Sequence, residues 1–147
     1  MPLKTSTGLR NKILDTGSLR TVMGAGFVKV YSGTVPATAD AALGAAVLLS
    51  TVSNNSTATG VTFALAAADG VLPKLGAEVW SGLNVAAGVA SFYRHVAAGD
   101  TGALSTTEAR IQGTCGTAGA DMNLTNTSLT NGATHTVDFY QVNLPTV

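Results

Sequence analysis

Two histidines, one cysteine and eight scattered carboxylates are the groups here that could do metal or covalent chemistry. His95 stands between Arg94 and Val96 in a strand-like run, and His135 opens the last one. A zinc-type site needs several ligands converging from adjacent faces. These two meet only if their strands pair in register, and no third ligand presents itself, so no metal is expected. Nucleophilic catalysis needs a base and an orienting acid beside the nucleophile. Ser and Thr are everywhere, His is scarce, and no Gly-x-Ser-x-Gly elbow exists. The acids stand singly, so the sequence places no facing pair of the glycosidase kind. No catalytic residue and no cofactor are expected.

The remaining chemical candidates have plainer readings. A lone thiol cannot close an intramolecular disulfide. Cys115 falls on the Ile111 side of a strand, where free cysteine behaves as a small hydrophobe. Met23–Gly26 and Gly113–Gly119 are glycine-rich but lack the Lys-Ser/Thr of a phosphate loop. Tight turns and bulges are their expected role. Asp121 beside Asn123 offers one carboxylate, whereas calcium gathers several oxygens. An Asx-type cap is the expected job of Asp121.

The elements that must position these groups read as short strands. Phe27–Tyr31, Val47–Val52, Val61–Leu65, Glu78–Val85, Val89–Ala97, Glu108–Cys115 and Thr134–Leu144 carry β-branched and aromatic residues between Gly, Ser, Asn and Pro breaks. Glu78–Val85 and Val89–Ala97 are expected to form a central hairpin through Ala86-Ala87-Gly88. Val71–Leu75, with Pro73, is expected to be a loop or edge. Glu108–Cys115 alternates, with Ala109, Ile111 and Cys115 inward and Glu108, Arg110, Gln112 and Thr114 outward, as a sheet with one solvated face demands. Phe63, Phe92, Ile111 and Phe139 are the expected core. The fold class expected is all-β, a jelly-roll-like β-sandwich with a short N-terminal helix or arm. The arm spans 1–26 and the single β-domain 27–147.

Composition narrows the function classes. Charged residues are 11% of the chain, well under the usual share of about 25%. Eight basic and eight acidic residues cancel. There is no global field to draw a polyanion, so nucleic acid is not an expected partner. A neutral surface favours association instead. The apolar runs Ala41–Leu49 and Val61–Ala68 fall short of the ~20 residues that span a bilayer, so no membrane is expected. MPLKTSTGLRNKILD has no apolar signal core, so synthesis in a cytoplasm is expected.

One local charge concentration remains: Lys4, Arg10, Lys12 and Arg20, offset only by Asp15. Ser6 or Thr7 can cap a helix there, with Leu9 and Ile13 on one face at i, i+4. Leu9, Arg10, Lys12 and Ile13 are therefore candidate partner contacts, on an arm that orders against its partner. Trp80 and Tyr93 point away from the core neighbours under simple alternation. Either one or both sit at a subunit interface, where aromatics are enriched, or both are buried inside the domain.

Three stretches together resemble a family of small structural proteins of tailed-phage virions. They are TGLRNKILD (7–15), FVKVYSGTVPATADAALGAAVLLSTV (27–52) with Tyr31, Gly33, Pro36, Leu48 and Leu49, and GTCGTAGADMNLTNTSLTNGATHTVDFYQVNLP (113–145). Phe92-Tyr93-Arg94 keeps the family-like aromatic–aromatic–Arg pattern, while Val71–Val85 departs from the family's Gly/Ala/Thr-rich segment. The resemblance implies a virion component on the capsid exterior. Its implied role is decoration or cementing of the head, bound to the major capsid protein and to copies of itself as a dimer or trimer. The alternative is a tail or head–tail accessory or fibre module that binds a receptor or carbohydrate.

Overall fold

Phe27–Ser32 and Val47–Asn54 are runs of β-branched, aromatic and aliphatic residues, and they pair as the antiparallel hairpin at the centre of the main sheet. The computed structural model describes residues 3–144; Met1, Pro2 and residues 145–147, the outer ends of the two expected segments, lie outside the described residues. In chain order the elements are β1 (Lys4–Thr5), α1 (Thr7–Asp15), α2 (Leu19–Met23), β2 (Phe27–Ser32), β3 (Val47–Asn54), β4 (Val71–Pro73) and β5 (Trp80–Leu83). There follow β6 (Gly88–Val89), β7 (Phe92–Val96), β8 (Arg110–Gly116), β9 (Met122–Asn123), β10 (Ser128–Leu129), β11 (Thr134–Thr136) and β12 (Gln141–Asn143). The main sheet has eight strands in the order β1-β8-β7-β2-β3-β5-β11, with β9 added in parallel to β8. Two small antiparallel pairs, β10-β6 and β12-β4, complete an all-β-dominated fold with short helices.

Register explains which side chains meet. Ile111, His95, Val28 and Val52 lie in one row across β8, β7, β2 and β3. That face is the apolar core: all four are fully buried, with Phe63, Trp80, Tyr93 and Tyr140 among the core side chains. The next row, Gln112, Arg94 and Lys29, points to the opposite face. That face is not solvated. Arg110, Gln112 and Arg94 are buried, and so are Phe92 and Tyr31, stacked with ring centroids 5.1 Å apart. Both faces of the sheet are therefore closed, which corrects the expected single wet face. The outward polar residues of β8 are satisfied by loop carbonyls and by the carboxylates of Asp100 and Asp121.

Several expectations change with the pairing. β5 and β7 do not form a hairpin: they lie on opposite sides of the β2–β3 pair, and Gly88–Val89 pairs with β10 instead. Trp80 is the buried side of β5, while Val79, Leu83 and Val85 are exposed. Val61 and Phe63 are buried as expected, in isolated bridges rather than a strand, but Leu65 is 81% exposed. The closing run breaks into β11 and β12, which pair with different partners, β5 and β4. The break advances the inward register by one residue, so Tyr140 is buried and Phe139 is 70% exposed. Phe139 is thus not a core residue, while Phe63, Phe92 and Ile111 are.

The N-terminal segment is built into the sheet rather than left as an arm. Thr5 and Lys4 pair with Ile111 and Gln112. The buried Ser6 hydroxyl donates to the Glu108 carbonyl at 2.7 Å and accepts from the Arg110 N–H at 2.9 Å. It also caps α1 by accepting from the Leu9 N–H at 3.1 Å. Gly8 lies directly on the Thr107–Glu108 backbone: a Cβ there would stand 2.6 Å from the Glu108 carbonyl oxygen and closer still to Thr107. Neither obstacle is a flexible side-chain end. Gly8→Ala is expected to lose about 1–3 kcal/mol by overpacking, despite the better helix propensity of alanine. Urea denaturation measures it, and an unchanged midpoint would mean that α1 is not clamped to this loop.

Candidate interaction surface

α1 reaches its position through its first turn. The Thr7 N–H and hydroxyl both donate to the Asp40 carboxylate, at 2.8 and 2.7 Å. Leu9 is completely buried among core residues, and Thr16 closes the far end by donating to the Lys12 carbonyl. One face of the helix is therefore fixed, and the other is presented. Arg10, Ile13 and Leu14 share that outer face at i, i+3 and i+4, with half-buried Lys12 on the flank. Ile13 is 38% and Leu14 85% exposed. Leu9 and Ile13, expected together on one contact face, differ in burial: Leu9 is inside and Ile13 sits on the rim. The i, i+4 spacing of Leu14 from Arg10 is the sequence signal that places it on this face.

The two aromatic candidates lie elsewhere. Trp80 and Tyr93 are both about 1% exposed, so the arrangement is the one with both inside the domain. A partner cannot touch either ring, nor Leu9, while the chain is folded. Trp80 and Tyr93 join an aromatic cluster around Tyr140, with centroids 5.2 and 5.8 Å away. The Trp80 Nε1–H is satisfied by the Glu78 carboxylate at 2.9 Å, which also holds the Thr62 N–H and hydroxyl. His95 is wedged into the same cluster, stacked on Phe63 at 5.3 Å and edge-on to Trp80. Its Nδ1 is 3.3 Å from the Tyr140 hydroxyl, and its Nε2 near the Met23 carbonyl makes no hydrogen bond of ordinary geometry. Burial pushes the His95 pKa down to about 4 and that of Tyr93 well above the usual phenol range.

The polar face of the sheet forms a second cluster. Asp100 and Arg110 form a buried ion pair, with Arg110 Nη2 donating to Asp100 Oδ1 at 3.1 Å. The same guanidinium donates to the carbonyls of Ala103, Ala39 and Asp40. Arg94 donates to Gln112 Oε1 and to the carbonyls of Ala41 and Thr38, and Gln112 donates to the Pro36 carbonyl. These bonds run from strands to loops, with nothing nucleophilic among them. They tie the chain between Pro36 and Ala41 down onto β7 and β8. Burial and the neighbouring Arg110 charge lower the Arg94 pKa.

The histidines do not converge. His135 Nδ1 is 2.8 Å from Asn84 Oδ1, in a groove of about 340 Å³ between β10 and β11, and burial lowers its pKa. Cys115 is half-buried against the core, and burial raises its pKa to about 12, so the thiol is a poor nucleophile. Asp121 accepts from the Thr114 N–H and hydroxyl, both at 2.8 Å, which ties its turn back to β8 in place of the local Asx-type cap expected of it. Among the described residues no group of three or more His, Cys, Asp or Glu is placed to hold a metal ion. No helix among them is long and apolar enough to cross a membrane. No family model, no curated protein and no solved structure matches this chain.

Proposed function

We propose that this chain is a non-catalytic structural protein of a tailed-phage virion, a capsid decoration protein on the head exterior. In this reading it is a jelly-roll-like β-sandwich that binds the major capsid protein lattice and copies of itself as a dimer or trimer. The observation that carries docking is the outer face of α1. Ile13 and Leu14 are exposed between Arg10 and Lys12, on a helix whose opposite side is locked to the sheet. A rigid apolar spot flanked by two cations suits an acidic neighbour, because the helix is already ordered before binding and only side-chain freedom is lost. The sequence resemblance of the three stretches supplies the class of partner. The closed polar network adds stiffness, which a cement protein needs and a catalyst does not require.

Quantitative mass spectrometry of purified virions tests the location. A ratio to the major capsid protein near one, or a simple fraction of it, is expected. A handful of copies per particle would move the chain to the tail. Co-sedimentation with undecorated heads tests the face. Leu14→Asp is expected to leave folding within about 0.5 kcal/mol, since the side chain is exposed, and to weaken co-sedimentation roughly tenfold or more, as loss of a central apolar anchor does. Wild-type protein that stays in the supernatant would sink the decoration reading, and a variant that binds as well as wild type would move docking off α1.

A further inference from the structure

A second surface combines chemistry that docking on a capsid does not use. Phe139, 70% exposed, stands at a groove of about 260 Å³ whose other lining includes Asp121, Asn123, Gln141 and Asn143. Two strands build it. In β9 and the residue before it, Asp121 and Asn123 flank Met122; in β12, Gln141 and Asn143 flank Val142. Met122 and Val142 are buried in the core. Alternation then fixes both polar pairs on the outer side of their strands. The groove is thus positioned by the core.

Its hydrogen-bonding capacity is only half used. Asp121 spends Oδ2 on the Thr114 N–H and hydroxyl, and Oδ1 has no partner among the described residues. Asn123 Oδ1 accepts from the Ala120 N–H at 3.2 Å, which fixes the amide and leaves its NH2 group to donate. The side chains of Gln141 and Asn143 make no hydrogen bond among the described residues. The groove therefore offers one carboxylate acceptor and several amide donors and acceptors beside an exposed aromatic ring. Among the described residues no Lys or Arg lines it, which disfavours phosphate, sulfate or a carboxylate ligand. A divalent cation would find a single carboxylate with one oxygen already engaged. Adjacent hydroxyls on a ring with an apolar C–H face meet every one of these groups. The volume falls below the range of about 300–1,000 Å³ usual for small-molecule pockets, so it suits a single ring.

We propose that the groove between β9 and β12 binds one ring of a neutral carbohydrate, with Phe139 stacked on its C–H face and Asp121, Asn123, Gln141 and Asn143 paired with its hydroxyls. The proposal does not rest on the capsid reading, and its test uses the full isolated chain, so either can fail alone. Saturation-transfer NMR would be run with glucose, galactose, mannose, rhamnose and N-acetylglucosamine. At least one is expected to receive saturation from the protein. Phe139→Ala is expected to weaken that sugar's apparent affinity roughly tenfold, and Asn143→Ala several-fold. Leu104→Ala, at an exposed loop position away from the groove, is expected to change nothing. Asn143 has no hydrogen-bond partner to lose within the described chain, so its variant carries the test should Phe139→Ala fold poorly. Absence of transfer to all five sugars, or equal binding by both groove variants, overturns the proposal.

Discussion

Replacing Arg110 with alanine is expected to lower the unfolding free energy by about 3–5 kcal/mol, the range for removing one partner of a buried ion pair. The size follows from what remains behind. Asp100 is buried, and without the guanidinium its carboxylate keeps only the Gly102 N–H, at 2.6 Å. The carbonyls of Ala39 and Ala103 lose their donor as well, while that of Asp40 keeps the Ser105 N–H. Each buried carbonyl left unpaired adds a desolvation cost of about 1–3 kcal/mol, reduced to the extent that the loops open to water. The loop between Pro36 and Ala41 then keeps Arg94, Gln112, Lys4 and Thr7 but loses its tie to the buried ion pair, and its amide protons should exchange faster than those of β7. Removing both charges together tests whether the pair itself stabilises. Arg110→Met with Asp100→Asn leaves no unpaired ion, and Asn keeps an acceptor for Gly102. That double variant is expected to recover part of the loss, since an ion pair and a neutral substitute are often close in stability. Urea unfolding of the three proteins measures this. A loss under about 1 kcal/mol for Arg110→Ala, the size of a surface pair, would mean that water reaches Asp100.

That cluster also marks where the sequence stops being readable. Alternation in Glu108–Cys115 places Arg110 and Gln112 opposite Ile111, and the structure agrees on which side each one points. Whether that side is wet depends on a loop that comes from another part of the chain. Ala39, Asp40 and Ala41 contribute backbone carbonyls, which every residue type possesses, so the side chains carry no trace of the contact. Strand existence was legible for the same reason that strand partners were not. The runs at β2, β3, β7 and β8 declare themselves by residue type, but β5 and β7 have equally good patterns for pairing with each other. They are separated because β3 takes β5 and β2 takes β7. Phe139 and Tyr140 show the limit at single-residue scale. Both suit a core, and the break between β11 and β12 decides which one faces it. Of the candidate contacts, Arg10, Lys12 and Ile13 lie on the outer side of a helix, while Leu9, Trp80 and Tyr93 are interior.

Acid should destabilise this protein well above the range in which most carboxylates titrate, because of His95. Folded, its pKa is held at about 4 against an ordinary 6.5. The first cause is burial among Phe63, Trp80 and Tyr140, which offer no counter-charge to an imidazolium; the Met23 carbonyl opposes it only in part. The unfolded chain therefore takes up a proton at a pH where the folded chain does not. Stability is full above about pH 6.5, falls as the pH drops through that value, and stops falling on this account below about 4. At about 1.4 kcal/mol per pH unit, the whole interval amounts to roughly 3 kcal/mol. His135 adds to the loss with the same sign, since burial lowers its pKa too. Urea midpoints at pH 7, 5.5 and 4.5 give the slope. His95→Gln supplies the comparison, because glutamine is polar and of similar size but never takes a proton. The variant is expected to be weaker at pH 7, where the stack on Phe63 is lost, and much flatter between pH 6.5 and 4.5. Parallel slopes in the two proteins would assign the acid sensitivity to other groups and leave His95 a packing residue alone.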